Sequence, residues 1–451
     1  MSMRTIGLLW AVFLIVSTWW APSIHAEEHK FRLMLTKRID LKPSSRIRVR
    51  VFPHTKRYKP HGRDAVMNRV SLTSDAPCSV YPGKVRFPGM QSKNKISENQ
   101  FQINLSADSL DKPLYVRCAA PIKVVREKAE TNFTYKGDMY ARLVKRSGQK
   151  VIELINIVTL KDYLKGVVPS EVYSSWPMET LKTQAVAART YSVFHINFAR
   201  RYLRKKRVWD VDDTIAYQAY TGISLNTKRT NYAVDSTEGQ ILTHNGAVIQ
   251  AYYHADSGGQ TEDAADVWDL EIPYVKGRKE NFDFNVAGSS WTKTVSLKSI
   301  ERRLRRKGQV KGKQRLTGLS VPAAGRTESG RVKKIVLEIS EGENRIVDVL
   351  SFKKLAGNLP STLFAFTRHE RDPRYFKLQG MGSGHGVGMS QQGAAILADE
   401  KGWGYGRILD YYYTDTTLCR LHKKGNALPN CYGLAKKVTK KKAIKPSKSS
   451  S

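Results

Sequence analysis

The chain has 451 residues, enough for two or more domains with well-buried cores, which excludes a disulfide-held miniprotein. Hydrophobic residues at 41% and aromatics at 10% are the composition of a globular protein. Seventy-six Lys and Arg against 40 Asp and Glu leave a formal charge of +36, a field that attracts a polyanion such as nucleic acid, anionic lipid or an acidic cell wall.

The first residues read as an export signal. Arg4 supplies the positive n-region, Ile6 to Val16 is a nearly unbroken apolar run, and Ala21-Pro22-Ser23-Ile24-His25-Ala26 places small residues ahead of Glu27-Glu28, as signal peptidase requires. Residues 1–26 are therefore expected to be a signal peptide; left uncleaved, the segment with Trp19 and Trp20 would anchor the protein to a membrane. Either way the body is expected outside the cytoplasm, in the periplasm, the cell wall or the medium. Export removes nucleic acid from the expected partners and favours peptidoglycan with its anionic associates. The four cysteines fall as two local pairs, Cys78 with Cys118 and Cys419 with Cys431, without C-x-x-C zinc spacing, and two disulfides fit an exported protein.

Residues 27–130 predict a small all-β domain. Ile47-Arg48-Val49-Arg50-Val51 and Phe101-Gln102-Ile103-Asn104-Leu105 alternate with period two between Pro, Gly and Ser clusters. From about residue 131 the texture changes. Phe133 to Tyr140 and Val151 to Val158 read as paired strands, Leu160 to Leu164 as a short helix stopped by Gly166, and Pro177 to about Arg200 as a long helix rich in Ala, Leu, Gln and Arg. On that helix Gln184, Ala188, Tyr191 and His195 share one face. Between the helices lies Glu171, flanked by Val167, Val168, Pro169 and Trp176. Such a carboxyl is either a general acid whose pKa is raised by desolvation or an ordinary glutamate ahead of a helix.

Farther along, Gln250 to Thr261 reads as a strand breaking into a polar turn with His254, Ser257, Gly258 and Gly259. It suits a cleft lining or a hydrogen-bonded turn histidine; no G-x-S-x-G elbow supports a serine hydrolase and no second ligand stands at zinc spacing. Residues 296 to 366, with a basic helix at Ser296 to Lys307 and a strand at Arg331 to Ile339, predict a subdomain over the cleft. In Gly380 to Ala394, alternating glycines allow close backbone approach, and Ser390 can cap a helix from Gln391 to Glu400. The run lacks the Gly-Lys-Ser/Thr of a nucleotide cradle.

Taken together, Leu160 to Glu171, Leu181 to Tyr191, Tyr217-Gln218-Ala219-Tyr220, Ser257-Gly258-Gly259 with Asp266-Val267-Trp268, Pro273-Tyr274-Val275, Gly384 to Ala394 and Ile408 to Tyr413 resemble, in order, the signature of the SpoIID family. This is the stage II sporulation protein D and amidase-enhancer family. The resemblance covers roughly residues 133 to 415. It implies a peptidoglycan lytic transglycosylase that cuts glycan strands between N-acetylmuramic acid and N-acetylglucosamine, leaving a 1,6-anhydro end. It makes Glu171, the glutamate after Pro-Ser, the catalytic acid. It places Gln184, Arg189, Tyr191, His254, Ser257, His385, Ser390 and Gln391 as substrate-binding residues of the cleft. It also admits a second function, a non-catalytic glycan-binding enhancer of a cell-wall amidase, with that amidase as partner.

Some relatives carry a cysteine-and-histidine zinc site near the Ser-Gly-Gly turn; here no cysteine stands there, so neither metal nor other cofactor is expected. The tail 435–451, with Lys436, Lys437, Lys440, Lys441, Lys442, Lys445 and Lys448, reads as disordered. The expected fold class is α+β: a mixed-sheet catalytic domain over 131–434 with a long cleft helix, preceded by the small all-β domain.

Overall fold

The computed structural model describes residues 45–52, 68–83, 95–96, 100–126, 132–146, 148–280, 289–421 and 430–432. The expected leader (1–26) and lysine tail (435–451) lie outside the described residues. The fold is mixed α+β, with several sheets and eight helices among the described residues.

Period-two alternation builds the first layers. In the strand Arg46–Val51, Ile47, Val49 and Val51 are fully buried. This strand pairs antiparallel with Gln149–Thr159, which forms a hairpin with Asp138–Arg146. The sheet continues through Leu114–Cys118, Cys78–Pro82 and Lys95–Ile96, and Val211–Asp212 joins the opposite edge in parallel, giving seven strands. A four-stranded sheet of Phe101–Ser106, Arg69–Ser74, Ile122–Arg126 and Phe133–Tyr135 contributes Val70, Leu72, Ile122 and Val124 to the same core as Leu154, Leu164 and Val167. Residues 27–130 therefore do not stand apart as an all-β domain. The hairpin 138–159 offers one edge to Arg46–Val51 and the other to Leu114–Cys118, so both parts of the chain share a sheet and a core. Cys78 and Cys118 lie opposite one another in register and form a disulfide. Cys419 is also disulfide-bonded and lies opposite Cys431 in the register of its neighbouring strand.

Helix α1 spans Leu160–Glu171, its N-terminus capped by the Thr159 hydroxyl, which accepts from the Asp162 N–H at 3.1 Å. It runs through Gly166, expected as a stop, and through Pro169. Gly166 serves close packing: a Cβ there would meet the Gly222 carbonyl oxygen and come within 2.6 Å of the Tyr220 ring. The loop 217–223 thereby lies directly against α1. Helix α2, Met178–Phe198, passes through the middle of the molecule, with Leu181, Ala185, Ala188 and Val193 fully buried. Helix α3 is Lys228–Ser236 and α4 is Ala264–Trp268.

Residues 291–378 build a second core around Ile300, Leu304, Ile335, Leu337, Phe352 and Leu378. Its helices are α5, Leu297–Arg306, and α6, Val349–Leu355. The unit is wider than the expected 296–366 because Ser290–Ser296 pairs with Tyr375–Met381. Helix α7, Gln391–Asp399, follows the glycine run, and α8, Tyr405–Tyr412, packs beside α2 and α7.

The close approach at Gly166 gives a test of the packing that carries α1. Gly166→Ala is expected to lower stability by about 1–3 kcal/mol, the usual cost of overpacking, read as a lower denaturation midpoint in urea at unchanged m-value. An unchanged midpoint would show that the loop 217–223 does not press on α1.

Candidate active site

Glu171 is the last residue of α1, half-buried at the edge of the first core. The loop 217–223 is pinned beside it from three directions. The Tyr220 hydroxyl donates to Asn156 Oδ1 at 2.8 Å, the Ser170 and Thr221 hydroxyls are 2.9 Å apart, and the Ile223 N–H reaches the Thr134 carbonyl at 2.7 Å. So held, the loop aims the backbone N–H of Ala219 at Glu171 Oε1, 2.6 Å away.

Gln391, first residue of α7, donates its Nε2 to Glu171 Oε2 at 3.5 Å and to Gln184 Oε1 of α2 at 3.3 Å. A third donor is the hydroxyl of Tyr253, which hydrogen-bonds the Glu171 carboxylate. Tyr253 in turn accepts from Gln218 Nε2 at 2.9 Å, while Gln218 Oε1 accepts from the Ser192 hydroxyl at 2.8 Å and also from that of Tyr163. Burial holds the Tyr253 phenol well above its ordinary range, and the Glu171 charge adds to the effect, so Tyr253 remains a donor. Burial likewise pushes the Glu171 carboxyl from 4.5 up to about 7, against the opposing hydrogen bonds from Ala219, Gln391 and Tyr253.

Two adjoining cavities, of about 660 and 450 Å³, share Glu171, Ala255, Ser383 and Gln391. The carboxyl thus stands where they meet. On one side the exposed Tyr173 packs edge-to-face on Trp176, with ring centroids 5.5 Å apart, and Asp256 supplies a second carboxylate. That group accepts from the Gly258 N–H at 2.8 Å and from the Ser289 hydroxyl at 2.5 Å. On the other side are Tyr191, Tyr217, Tyr252, Trp268, His254 and His385. Such a groove, polar at its centre and aromatic on both flanks, fits a long polyhydroxylated ligand.

The shared face of α2 read from spacing brings Gln184 and Tyr191 to the cleft. His254 Nδ1 donates to the Val387 carbonyl at 3.1 Å, leaving Nε2 as a buried acceptor without a partner. His385 Nδ1 accepts from the Val387 N–H at 3.0 Å. Both imidazoles are held neutral chiefly by burial, His385 then by Arg331 and Lys353, which lower it to about 4, and His254 then by the neighbouring His385 and by Arg331, which hold it well below its ordinary value. The glycine run makes this wall: Gly384 has φ +109°, and a Cβ there would come within 2.7 Å of His254 Cβ.

Three expected cleft residues have other positions. Arg189 lies on another side of α2, 3% exposed, and donates to the backbone carbonyls of Val234 and Gln240, tying α2 to the end of α3. Ser257 is fully buried; its hydroxyl donates to Glu280 and accepts from the Gly259 N–H, which fixes the turn. Ser390 caps α7 by accepting from the Gly393 N–H at 3.1 Å. Conversely, Tyr253, Gln218, Ala219 and Asp256 belong to the site and were not assigned roles from sequence. The signal for two of them was the Tyr217-Gln218-Ala219-Tyr220 motif, whose polar residue sits between aromatics. Among the described residues no group of three His, Cys, Asp or Glu side chains is placed to hold a metal ion, and no helix is long and apolar enough to cross a membrane.

Because folding raises the Glu171 pKa from 4.5 to about 7, the folded chain binds the extra proton in that window. Stability must therefore fall as pH rises through it, by up to about 3 kcal/mol once the carboxyl is ionised. Glu171→Gln lacks this penalty. It is expected to be more stable than the wild type in urea at pH 8 and to lose that advantage near pH 4.5; equal stability at both pH values would mean that the carboxyl is well solvated.

Residues 148–244, which carry Glu171, α2 and Gln218, match the SpoIID family model, described as stage II sporulation protein; residues 275–388 match a domain of unknown function, DUF8618. The chain is 30% identical over 297 residues to the amidase enhancer of Bacillus subtilis (strain 168), a match covering 56% of this chain but 40% of that protein. It is 31% identical to stage II sporulation protein D of the same organism, covering 58% of this chain and 74% of the relative. With stage II sporulation protein D of Bacillus amyloliquefaciens the identity is 30%, over 64% of this chain and 81% of the relative. With the motifs in order along the chain and the helices and loop around Glu171 inside the matched region, the chain belongs to the SpoIID family.

Proposed function

We propose that the protein is an exported peptidoglycan lytic transglycosylase that cleaves the bond between N-acetylmuramic acid and N-acetylglucosamine in cell-wall remodelling. The observation that carries this reading is the Glu171 carboxyl, raised to about 7 and standing where two cavities meet. A glycan lying through both would put a glycosidic oxygen beside a group that is protonated near neutral pH. Glu171 then gives its proton to that oxygen as the bond to C1 breaks. The resulting carboxylate, steadied by Ala219, Gln391 and Tyr253, takes the proton of the sugar's own 6-hydroxyl as that oxygen closes on C1. One carboxyl serves in both steps, and water is not consumed. A hydrolase would need a second carboxylate as nucleophile or base; the one that shares the cavity, Asp256, holds the turn and Ser289 in place.

A second reading is favoured by the name of one relative, the amidase enhancer: the same cleft binds glycan without cutting it and the protein stimulates a cell-wall amidase. Mass spectrometry of products from purified glycan strands separates the two. Expected are 1,6-anhydro ends, about 18 mass units lighter than hydrolytic ends because the nucleophile is intramolecular. Glu171→Gln is expected to lower the rate of strand cleavage by at least about 100-fold while glycan binding survives. Reducing ends as the main product would mean hydrolysis. No product, with increased turnover by an added amidase, would establish the enhancer reading.

A further inference from the structure

Residues 327–333 belong to the second-core unit, yet their side chains reach into the first body. Thr327 and Ser329 donate to Glu262 Oε2 at 2.6 and 2.5 Å, and Lys333 Nζ donates to Asp266 Oδ1 at 2.9 Å. Between them, Arg331 is 1% exposed. Its Nη2 donates to the backbone carbonyls of Ser257 and Gln260, the latter at 3.1 Å, and its Nε lies 3.8 Å from Glu262 Oε2. Gly386 leaves the space: a Cβ there would come within 2.8 Å of the guanidinium carbon. The Glu262 N–H meets the Gly386 carbonyl at 2.8 Å, so turn and glycine run close around the guanidinium.

Those two segments are walls of the cleft. His254 precedes the Ser257 turn, His385 precedes Gly386, and their rings are 5.6 Å apart. A guanidinium is costly to bury, and an apolar side chain of similar volume would fill the space at less cost. Its Nη2, however, binds two carbonyls at once, which no apolar side chain does, while Nε and Nη1 find no hydrogen-bond partner between the turn and the glycine run.

We propose that Arg331 is the positioning residue of the cleft: through it the second-core unit locks the Ser257–Gln260 turn against the glycine run and presents His254 and His385 to the substrate in one arrangement. This rests on the cleft being the glycan site. It gives the second-core unit, which lies within the matched domain of unknown function, a role as the support of the cleft wall rather than a separate binding module. The charged groups that act on or with the guanidinium are Glu262, Asp256, Glu280 and Lys353. Arg331 and Lys353 both act with burial to keep His385 unprotonated down to about pH 4.

The test uses the full chain with labelled histidine, titrated by NMR, alongside kcat and KM on soluble glycan. Arg331→Gln removes a nearby positive charge, so the His385 midpoint is expected to rise by about one pH unit, with kcat/KM falling about 10- to 100-fold. Arg331→Lys keeps the charge but not the flat guanidinium whose end reaches both carbonyls; its His385 midpoint is expected to stay within a few tenths of a unit of wild type, while kcat/KM falls at least about 10-fold. An unmoved His385 midpoint in Arg331→Gln overturns the proposal whatever the kinetics, and so does full activity in Arg331→Lys. Should Arg331→Gln fail to fold, the lysine variant decides alone. Histidine midpoints are read without turnover, so this result is distinct from a failure of the Glu171 assignment.

Discussion

In the proposed mechanism a carboxyl must release a proton near neutral pH, which requires it to be kept dry without being left alone, and the surroundings of Glu171 suit that requirement. Its place at the C-terminal end of α1 works toward the same end, because the last carbonyls of a helix present partial negative charge and disfavour a carboxylate. Three donors oppose this: the Ala219 N–H, Gln391 and Tyr253. Desolvation outweighs them, yet they are what makes the ionised form tolerable after the proton has left. A drier site would hold the proton too tightly to serve as an acid, and a wetter one would lose it before substrate arrived.

The donors are useful only if they do not move, and α2 is the rail on which they are set. Thr183 and Thr190 return their hydroxyls to carbonyls one turn back, so these two buried groups are satisfied within the helix. From Ser192 the chain of hydrogen bonds runs through Gln218 and Tyr253 to the carboxyl. A connected network of this kind favours one geometry, since shifting a member leaves another unsatisfied in low dielectric. Arg189 holds the other side of the same helix to Val234 and Gln240, which explains why an arginine so near the cleft in sequence contributes nothing to its surface.

What the sequence made legible follows the range of the interactions. Local signals read well: the long helix, the cap at Ser390 and the shared face of Gln184 and Tyr191 all depend on spacings of a few residues. The conditions at Glu171 were legible as one of two alternatives, because its apolar neighbours are adjacent in the chain. The sheet shared by residues 46–51 and 149–159 was not, since strand pairing over a hundred residues leaves no mark in either segment. Gly166 was misread for a related reason: a glycine kept for contact with Gly222 looks, within its own segment, like a helix stop. Arg189, Ser257 and Tyr253 illustrate the limit for side chains. A polar residue near a motif either faces the ligand or holds the backbone that does, and only the partners it finds across the fold decide which.

The disposition of Asp256 bears on why a single carboxyl suffices for the proposed chemistry. Asp256 shares a cavity with Glu171, as the paired carboxylates of many glycosidases share a cleft. Its two oxygens, however, receive the Gly258 N–H and the Ser289 hydroxyl, and Ser289 is itself buried, joining the Ser-Gly-Gly turn to the start of the second-core unit. Attack on an anomeric carbon, or abstraction of a proton from water, would draw that carboxylate away from contacts that hold the wall in place. Glu171 has no such duty. Its partners are donors that stabilise the anion and remain in position when the proton returns, so it can alternate between acid and base without disturbing the wall. With Asp256 committed to structure, the economical nucleophile is one that the substrate carries, and the 6-hydroxyl of the sugar needs only a base that has just become one.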